Sequence, residues 1–193
     1  MRRRPGIELK SPEQIRLMRK AGLVVGRTLA AVRDAARPGV TTAELDAVAR
    51  EHIASAGAVS SFLGYGGGFG LPPFPGVTCI SVNSVIVHGI PGERQLVDGD
   101  LVSVDFGVSV DGWHGDSAIT FGVGELSAEA SALSEVTREA MWTGLASARI
   151  GGRIGDIANA IETSIRSHPG NYGIVSEYTG HGGTIRASWL QYA

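Results

Sequence analysis

Residues 101–122 read LVSVDFGVSVDGWHGDSAITFG, two strand-like runs joined by Asp111-Gly112. Asp-Gly is a strong two-residue hairpin signal because both positions of that turn need positive φ, which aspartate tolerates and glycine prefers. With the turn fixed, the register follows: Val110 faces Trp113, Gly107 faces Asp116 and Asp105 faces Ala118. Asp105 and Asp116 are then diagonal neighbours on one face, roughly 7–8 Å apart at the backbone. Carboxylates that close repel one another, and burial adds to the cost. Either both acids face water on an edge hairpin, or a divalent cation lies between them.

The flanking segments predict helices. In SPEQIRLMRKAGLVVGRTLAAVRDAARPG, Ser11 is an N-cap, Pro12 suits the first helical position and Gln14 completes a capping box. Ile15, Met18, Val25, Leu29 and Val32 recur at helical spacing, and Pro38-Gly39 ends the run. TTAELDAVAREHIASAG repeats the plan, with Thr41 and Glu44 as the box and Leu45, Val48 and Ile53 turned inward. Further helices are expected over 127–148 and 156–167. Strands are expected over 77–82, 85–87, 101–110, 113–122 and 173–178. The order of helices, strands, helices and a strand predicts an α+β domain.

A shift of 112 positions aligns Leu29 with Met141, Ala36-Arg37 with Ala148-Arg149, Gly39 with Gly151, Glu44 with Asp156, Leu45 with Ile157 and Ile53 with Ile165. If the second half copies the first, the hairpin at 101–121 would recur beyond the last residue, so a C-terminal truncation is expected.

Composition narrows the function. A net charge of −2 over 193 residues gives no case for binding DNA or RNA, and the basic MRRR start is too short to change that. No apolar run reaches the roughly 18 residues that a membrane helix needs, and no signal-peptide pattern opens the chain. The single Cys79 permits no internal disulfide and suits a reducing cytoplasm. No linker interrupts the chain, so 1–193 is read as one domain.

The histidines bear on what the aspartates hold. Val85-Ile86-Val87-His88-Gly89-Ile90-Pro91 ends an apolar run with an imidazole before a turn. Gly180-His181-Gly182 sets another between glycines, where backbone can approach a bound group. His181 with two aspartates would suit manganese, iron, cobalt or zinc. His114 shares the aspartates' face and is a rival ligand, whereas His52 and His168 read as helix-surface residues.

Together, SVNSVIVHGIP, the DFG…DGWHGD hairpin and YTGHG resemble type I methionine aminopeptidase, a member of the M24 metallopeptidases. The resemblance runs from about Ser11 to Gly182 and includes SPEQIRLMRKAG and PFPGVTCISVN, with Cys79 nine residues before His88. It implies the pita-bread α+β fold of two pseudo-symmetric halves, and removal of the initiator methionine from nascent proteins. It further implies that Asp105 binds one metal, that Asp116 bridges two and that His181 binds the second. His88 corresponds to a non-ligand histidine that hydrogen-bonds the substrate, and Tyr65 and Cys79 to positions lining the methionine pocket. His114 has a counterpart that is not a ligand, so it leaves the metal set. The partners implied are N-terminal methionines of chains near the ribosome, met by a cytoplasmic monomer.

Two stretches depart from the family. GGGFGLPP, at 66–73, is a Gly/Pro-rich variation beside the expected pocket. After Gly182 the chain reads GTIRASWLQYA, a divergent tail over 183–193 with Ser188 in place of a second substrate histidine and no glutamate. The family supplies two glutamate ligands there, so at most one weakly bound metal and impaired catalysis are expected. Two other functions stay open: a catalytically inactive binding module on the same fold, and a prolidase-like peptidase. The prolidase-like reading is the weaker, because the chain starts directly in the catalytic-domain helix.

Overall fold

The computed structural model describes residues 9–175. Among them run helix α1 (Pro12–Ala35), helix α2 (Thr42–Ala56), strands β1 (Val59–Ser60), β2 (Thr78–Val82), β3 (Leu101–Val110) and β4 (Trp113–Gly122), and helices α3 (Ala128–Ser147) and α4 (Ile154–Ser167). Both capping boxes form: Gln14 N donates to Ser11 Oγ while Ser11 N donates to Gln14 Oε1, and Glu44 with Thr41 does the same. None of these helices is long and apolar enough to cross a membrane.

β3 organises the sheet. β4 pairs antiparallel along its whole length, from Leu101↔Gly122 to Val110↔Trp113. The other edge of β3 is shared end to end, with β2 pairing over Thr78↔Phe106 to Val82↔Val102 and β1 over Val59↔Ser109 and Ser60↔Val108. The two-residue period of a strand then separates two surfaces. Val102, Val104, Phe106, Val108 and Val110 are at most 3% exposed and pack under Ala21, Val25, Leu29 and Val32 of α1 and Leu45 and Ala49 of α2. The intervening residues of β3 are half-buried except Gly107 and form the second surface. Helix α1 approaches β4 closely because Gly115 lacks a side chain: a Cβ there would stand 2.8 Å from the Ala21 carbonyl carbon and the Gly22 nitrogen. Ile15, expected inward, is 55% exposed, since it lies on the first turn of α1 beyond the sheet's cover.

The 112-residue repeat has a backbone counterpart. The C-terminal residues of α1 and α3, Ala35 and Ser147, differ by that offset, as do the first residues of α2 and α4, Thr42 and Ile154. The C-caps Ala36 and Ala148 share extended conformations (φ −72°, ψ 118° and φ −70°, ψ 100°), and each donates its amide three residues back, to Arg33 and Leu145. Gly39 and Gly151 both turn with positive φ, 89° and 84°. The pair α3–α4 closes at Gly144, where a Cβ would stand 2.6 Å from Ile161.

Two expected strands are corrected. Residues 85–87 form no strand, because Asn83 (φ 55°) and Val87 (φ 65°) both adopt left-handed backbone and fold the segment into a loop. Of the strand expected over 173–178, residues 173–175 are irregular, and the rest lies outside the described residues.

Asp46, 4% exposed on α2, locks that helix to β2. Its Oδ1 accepts from Val77 N (2.8 Å), Thr78 N (2.9 Å) and Thr78 Oγ1 (2.7 Å), and its Oδ2 accepts from Arg50 Nε (2.7 Å). Asp46→Ala strands three buried donors and is predicted to cost about 3 kcal/mol in urea unfolding. Arg50→Ala removes a side chain that is 43% exposed and should cost under about 1 kcal/mol. Equal losses would mean that the ion pair, not the amide cradle, holds the helix.

Candidate metal centre

The Asp111-Gly112 turn has φ of 52° and 81°, positive at both central positions as the two-residue hairpin requires. Lys20 Nζ on α1 donates to Asp111 Oδ2 at 2.7 Å and pins the turn against the helix. The predicted register forms: Gly107↔Asp116 and Asp105↔Ala118. The second surface of the sheet therefore gathers Cys79 and Ser81 from β2, Ser103, Asp105, Gly107 and Ser109 from β3, and His114, Asp116 and Thr120 from β4. This is a polar face on the back of one that is apolar along the length of β3.

Asp105 is half-buried and Asp116 exposed. The missing side chain of Gly107 lets Asp116 lean over the sheet, with its Cγ 3.5 Å from where a Cβ of residue 107 would be. Cys79 is the cross-strand partner of Asp105. Its thiol is pushed up to about 12, first by burial and then by the negative charges of Asp105, Asp116 and Asp46. Cys79 is thus a neutral side chain, and the potential on this face is negative. Hard carboxylate oxygens set diagonally in a negative field suit a divalent cation. Among the described residues no three His, Cys, Asp or Glu side chains converge on one point. His181, assigned as a metal ligand from the sequence, lies outside the described residues, as does the 183–193 tail.

His88 is exposed in the loop that follows β2. Its amide donates to Ile86 O at 2.9 Å, and the next residue is fixed from both sides: Gly89 N donates to Ser81 Oγ (3.1 Å) and Ile80 N donates to Gly89 O (2.8 Å). That packing demands glycine, since a Cβ at 89 would lie 2.1 Å from the Ile80 carbonyl oxygen. Buried Asp100 secures the other end of the loop, accepting from Asn83 Nδ2 (2.7 Å), Val97 N (3.0 Å) and Arg94 Nη2 (3.3 Å). Tyr65 is half-buried in the glycine-rich loop after β1, its ring 6.1 Å from that of Phe69. A short 3₁₀ turn, Gly67–Phe69, occupies the segment that departs from the family. His114 does share the aspartates' face, but its Nδ1 shares a 3.1 Å hydrogen bond with Ser61 Oγ. Sequence reasoning did not find Ser61, Ser81 or the Asp100 cradle. Small polar residues carry no periodic signal, and their roles appear only once the loops are folded onto the sheet.

A diagonal carboxylate pair on the polar face of an α+β sheet, with His88 in the loop after β2, is an arrangement compatible with the metal-dependent hydrolases. The model of metallopeptidase family M24 matches residues 16–187. The chain is 45% identical over 187 residues to methionine aminopeptidase 1 of Mycobacterium tuberculosis and 43% identical over 176 residues to a methionine aminopeptidase of Clostridium perfringens. It spans 68% of the length of each, with 94% and 91% of its own residues aligned. The crystal structure of methionine aminopeptidase from Rickettsia prowazekii superposes with a TM-score of 0.85 at 36% identity, covering 92% of this chain and 68% of that one. The chain belongs to metallopeptidase family M24, on its methionine aminopeptidase branch, and has the pita-bread fold. Prolidase from Pyrococcus furiosus shares that fold (TM-score 0.75) at only 19% identity, so the prolidase-like alternative has support from the fold alone.

Gly89→Ala is predicted to lift the His88 loop off β2. The expected cost is about 2 kcal/mol of stability, with faster hydrogen exchange at the Ile80 amide. Unchanged protection at Ile80 would show that the loop is not held there.

Proposed function

We propose that this protein is a metal-dependent aminopeptidase that removes the initiator methionine from nascent chains. The observation that carries the reading is the pair Asp105 and Asp116, set diagonally on the polar face with Asp116 leaning over Gly107. Relatives at 43–45% identity bear the name methionine aminopeptidase, which supplies the substrate class. In this reading residues 1–193 are a single M24 domain that lacks the family's C-terminal strands and ends in the divergent tail 183–193, and the protein works as a monomer in the cytoplasm near the ribosome.

Asp105, Asp116 and His181 are the ligands in this reading, and three protein ligands hold one divalent ion, manganese, cobalt, iron or zinc, with open positions left over. When bound, the ion supplies Lewis acidity and a water acidic enough to be deprotonated near neutral pH. The protein's own residues do the rest. His88, at a loop fixed on Ser81 and Ile80, donates a hydrogen bond to the substrate carbonyl as negative charge develops there. Tyr65 and the neutral thiol of Cys79 line the pocket for the methionine side chain. Cys79 suits that role because a thiol raised to about 12 stays uncharged and presents a small apolar surface.

Calorimetric titration with manganese or cobalt should show one weak site, abolished by Asp116→Ala; two tight sites would overturn the ligand count. In a version extended by a family-like C-terminal segment that restores the two glutamates, with metal supplied, His88→Ala should lower methionine release from a Met-Ala-Ser peptide by about 10²–10³ while metal binding is unchanged. Loss of metal with activity would put His88 among the ligands instead.

A further inference from the structure

The loop that carries Tyr65 reaches the metal-binding face by a short series of ties, to Gly107 of β3 and to His114 of β4. Ser60 Oγ accepts from the amides of Phe62 and Leu63, both at 3.1 Å, which turns the chain sharply out of β1. Ser61 N donates to Gly107 O at 3.0 Å, so the turn sits on β3 beside the glycine over which Asp116 leans. The Phe62 ring lies above the same glycine, 3.0 Å from where its Cβ would be. Ser61 Oγ then spans β3 to share its 3.1 Å hydrogen bond with His114 Nδ1 on β4, two residues before Asp116. Beyond this turn the loop closes on itself: Gly64 N donates to Phe74 O and Phe74 N to Tyr65 O, both at 2.8 Å. Gly64, Gly66 and Gly70 turn at positive φ, and bonds from Tyr65 N to Phe62 O (3.0 Å) and from Phe69 N and Leu71 N to Gly66 O (2.9 and 3.2 Å) brace the interior, so the loop is held as a unit whose placement depends on its ties to the sheet.

We infer that His114 is a positioning residue: through Ser61 it clasps the 61–74 loop, and with it Tyr65, to the strand that bears Asp116. The inference rests on the aminopeptidase reading for its functional consequence, because it is the substrate that would meet Tyr65 and the bound ion together. The clasp ties the side-chain pocket to the metal-binding strand without joining the ligand set, so it should govern how well a substrate is held and leave the ion alone. An imidazole suits the task, since its rigid ring reaches across a strand and its Nδ1 can either donate or accept.

The test uses the whole chain and four variants: His114→Ala, Ser61→Ala, the double variant and His114→Asn, whose amide can occupy the Nδ1 position. Hydrogen exchange at the Gly64 and Phe74 amides should quicken about 5-fold in each alanine variant, as expected for one hydrogen bond removed. The double variant should be no faster than either single one, and His114→Asn should restore protection. With metal supplied, KM for a Met-Ala-Ser peptide should rise about 5-fold in parallel, with kcat and manganese affinity unchanged. Unaltered exchange, or additive effects in the double variant, would overturn the clasp. Faster exchange without a change in KM would overturn its positioning role and leave a structural contact. If the parent chain releases no methionine, as the absent glutamate ligands would bring about, the affinity for a Met-Ala-Ser peptide measured by calorimetry takes the place of KM; no binding of that peptide would overturn the aminopeptidase reading, and the exchange pattern still decides whether the clasp exists.

Discussion

The structure depends on the two positive-φ residues of one turn. Asp111 and Gly112 adopt left-handed backbone together, which fixes the pairing of β3 with β4 to a single register. A slip of one residue would exchange the faces of the whole strand. Five apolar residues of β3 would leave the helices, and Asp105 would enter a core with no partner for its charge. The register that packs Phe106 under α1 is the one that brings Asp105 and Asp116 to the opposite face, so burial and site are chosen by the same turn.

From that face the rest of the site is assembled by backbone glycines and buried polar anchors. Gly107 opens a place for Asp116, Gly115 lets α1 lie close against β4, and Gly89 brings the His88 loop into contact with β2. Asp46 and Asp100 do the complementary work: Asp46 collects amide and hydroxyl donors at the start of β2, and Asp100 collects amide and side-chain donors from the irregular segment that follows it. The site is therefore built on paired β-strands at Asp105 and Asp116, and on a few hydrogen bonds between loop and sheet at His88 and Tyr65.

How far the sequence revealed this differs by element. Caps, turn and amphipathic spacing are local, so the helices, the hairpin and the face shared by Asp105, Asp116 and His114 were legible. The 112-residue offset was visible as a handful of matched residues, and it reappears in the caps Ala36 and Ala148 and the turns at Gly39 and Gly151. The β-branched run Val85–Val87 misled, because its conformation is set by left-handed Asn83 and Val87 and by Gly89 folding onto β2, not by strand propensity. Asp46 was illegible for a related reason: with Arg50 four residues on, it resembles an ordinary surface ion pair of a helix. Only the tertiary fold shows that its other oxygen is buried against Val77 and Thr78.

The central claim is that the polar face of the β3–β4 hairpin holds a divalent ion between Asp105 and Asp116. Manganese is paramagnetic and broadens nearby amide resonances steeply with distance, so titrating it into labelled protein maps the ion directly. The account predicts broadening centred on residues 105, 107 and 116, reaching Cys79, and fading toward the core-facing side of α1. Broadening centred elsewhere, or none at millimolar manganese, would contradict it.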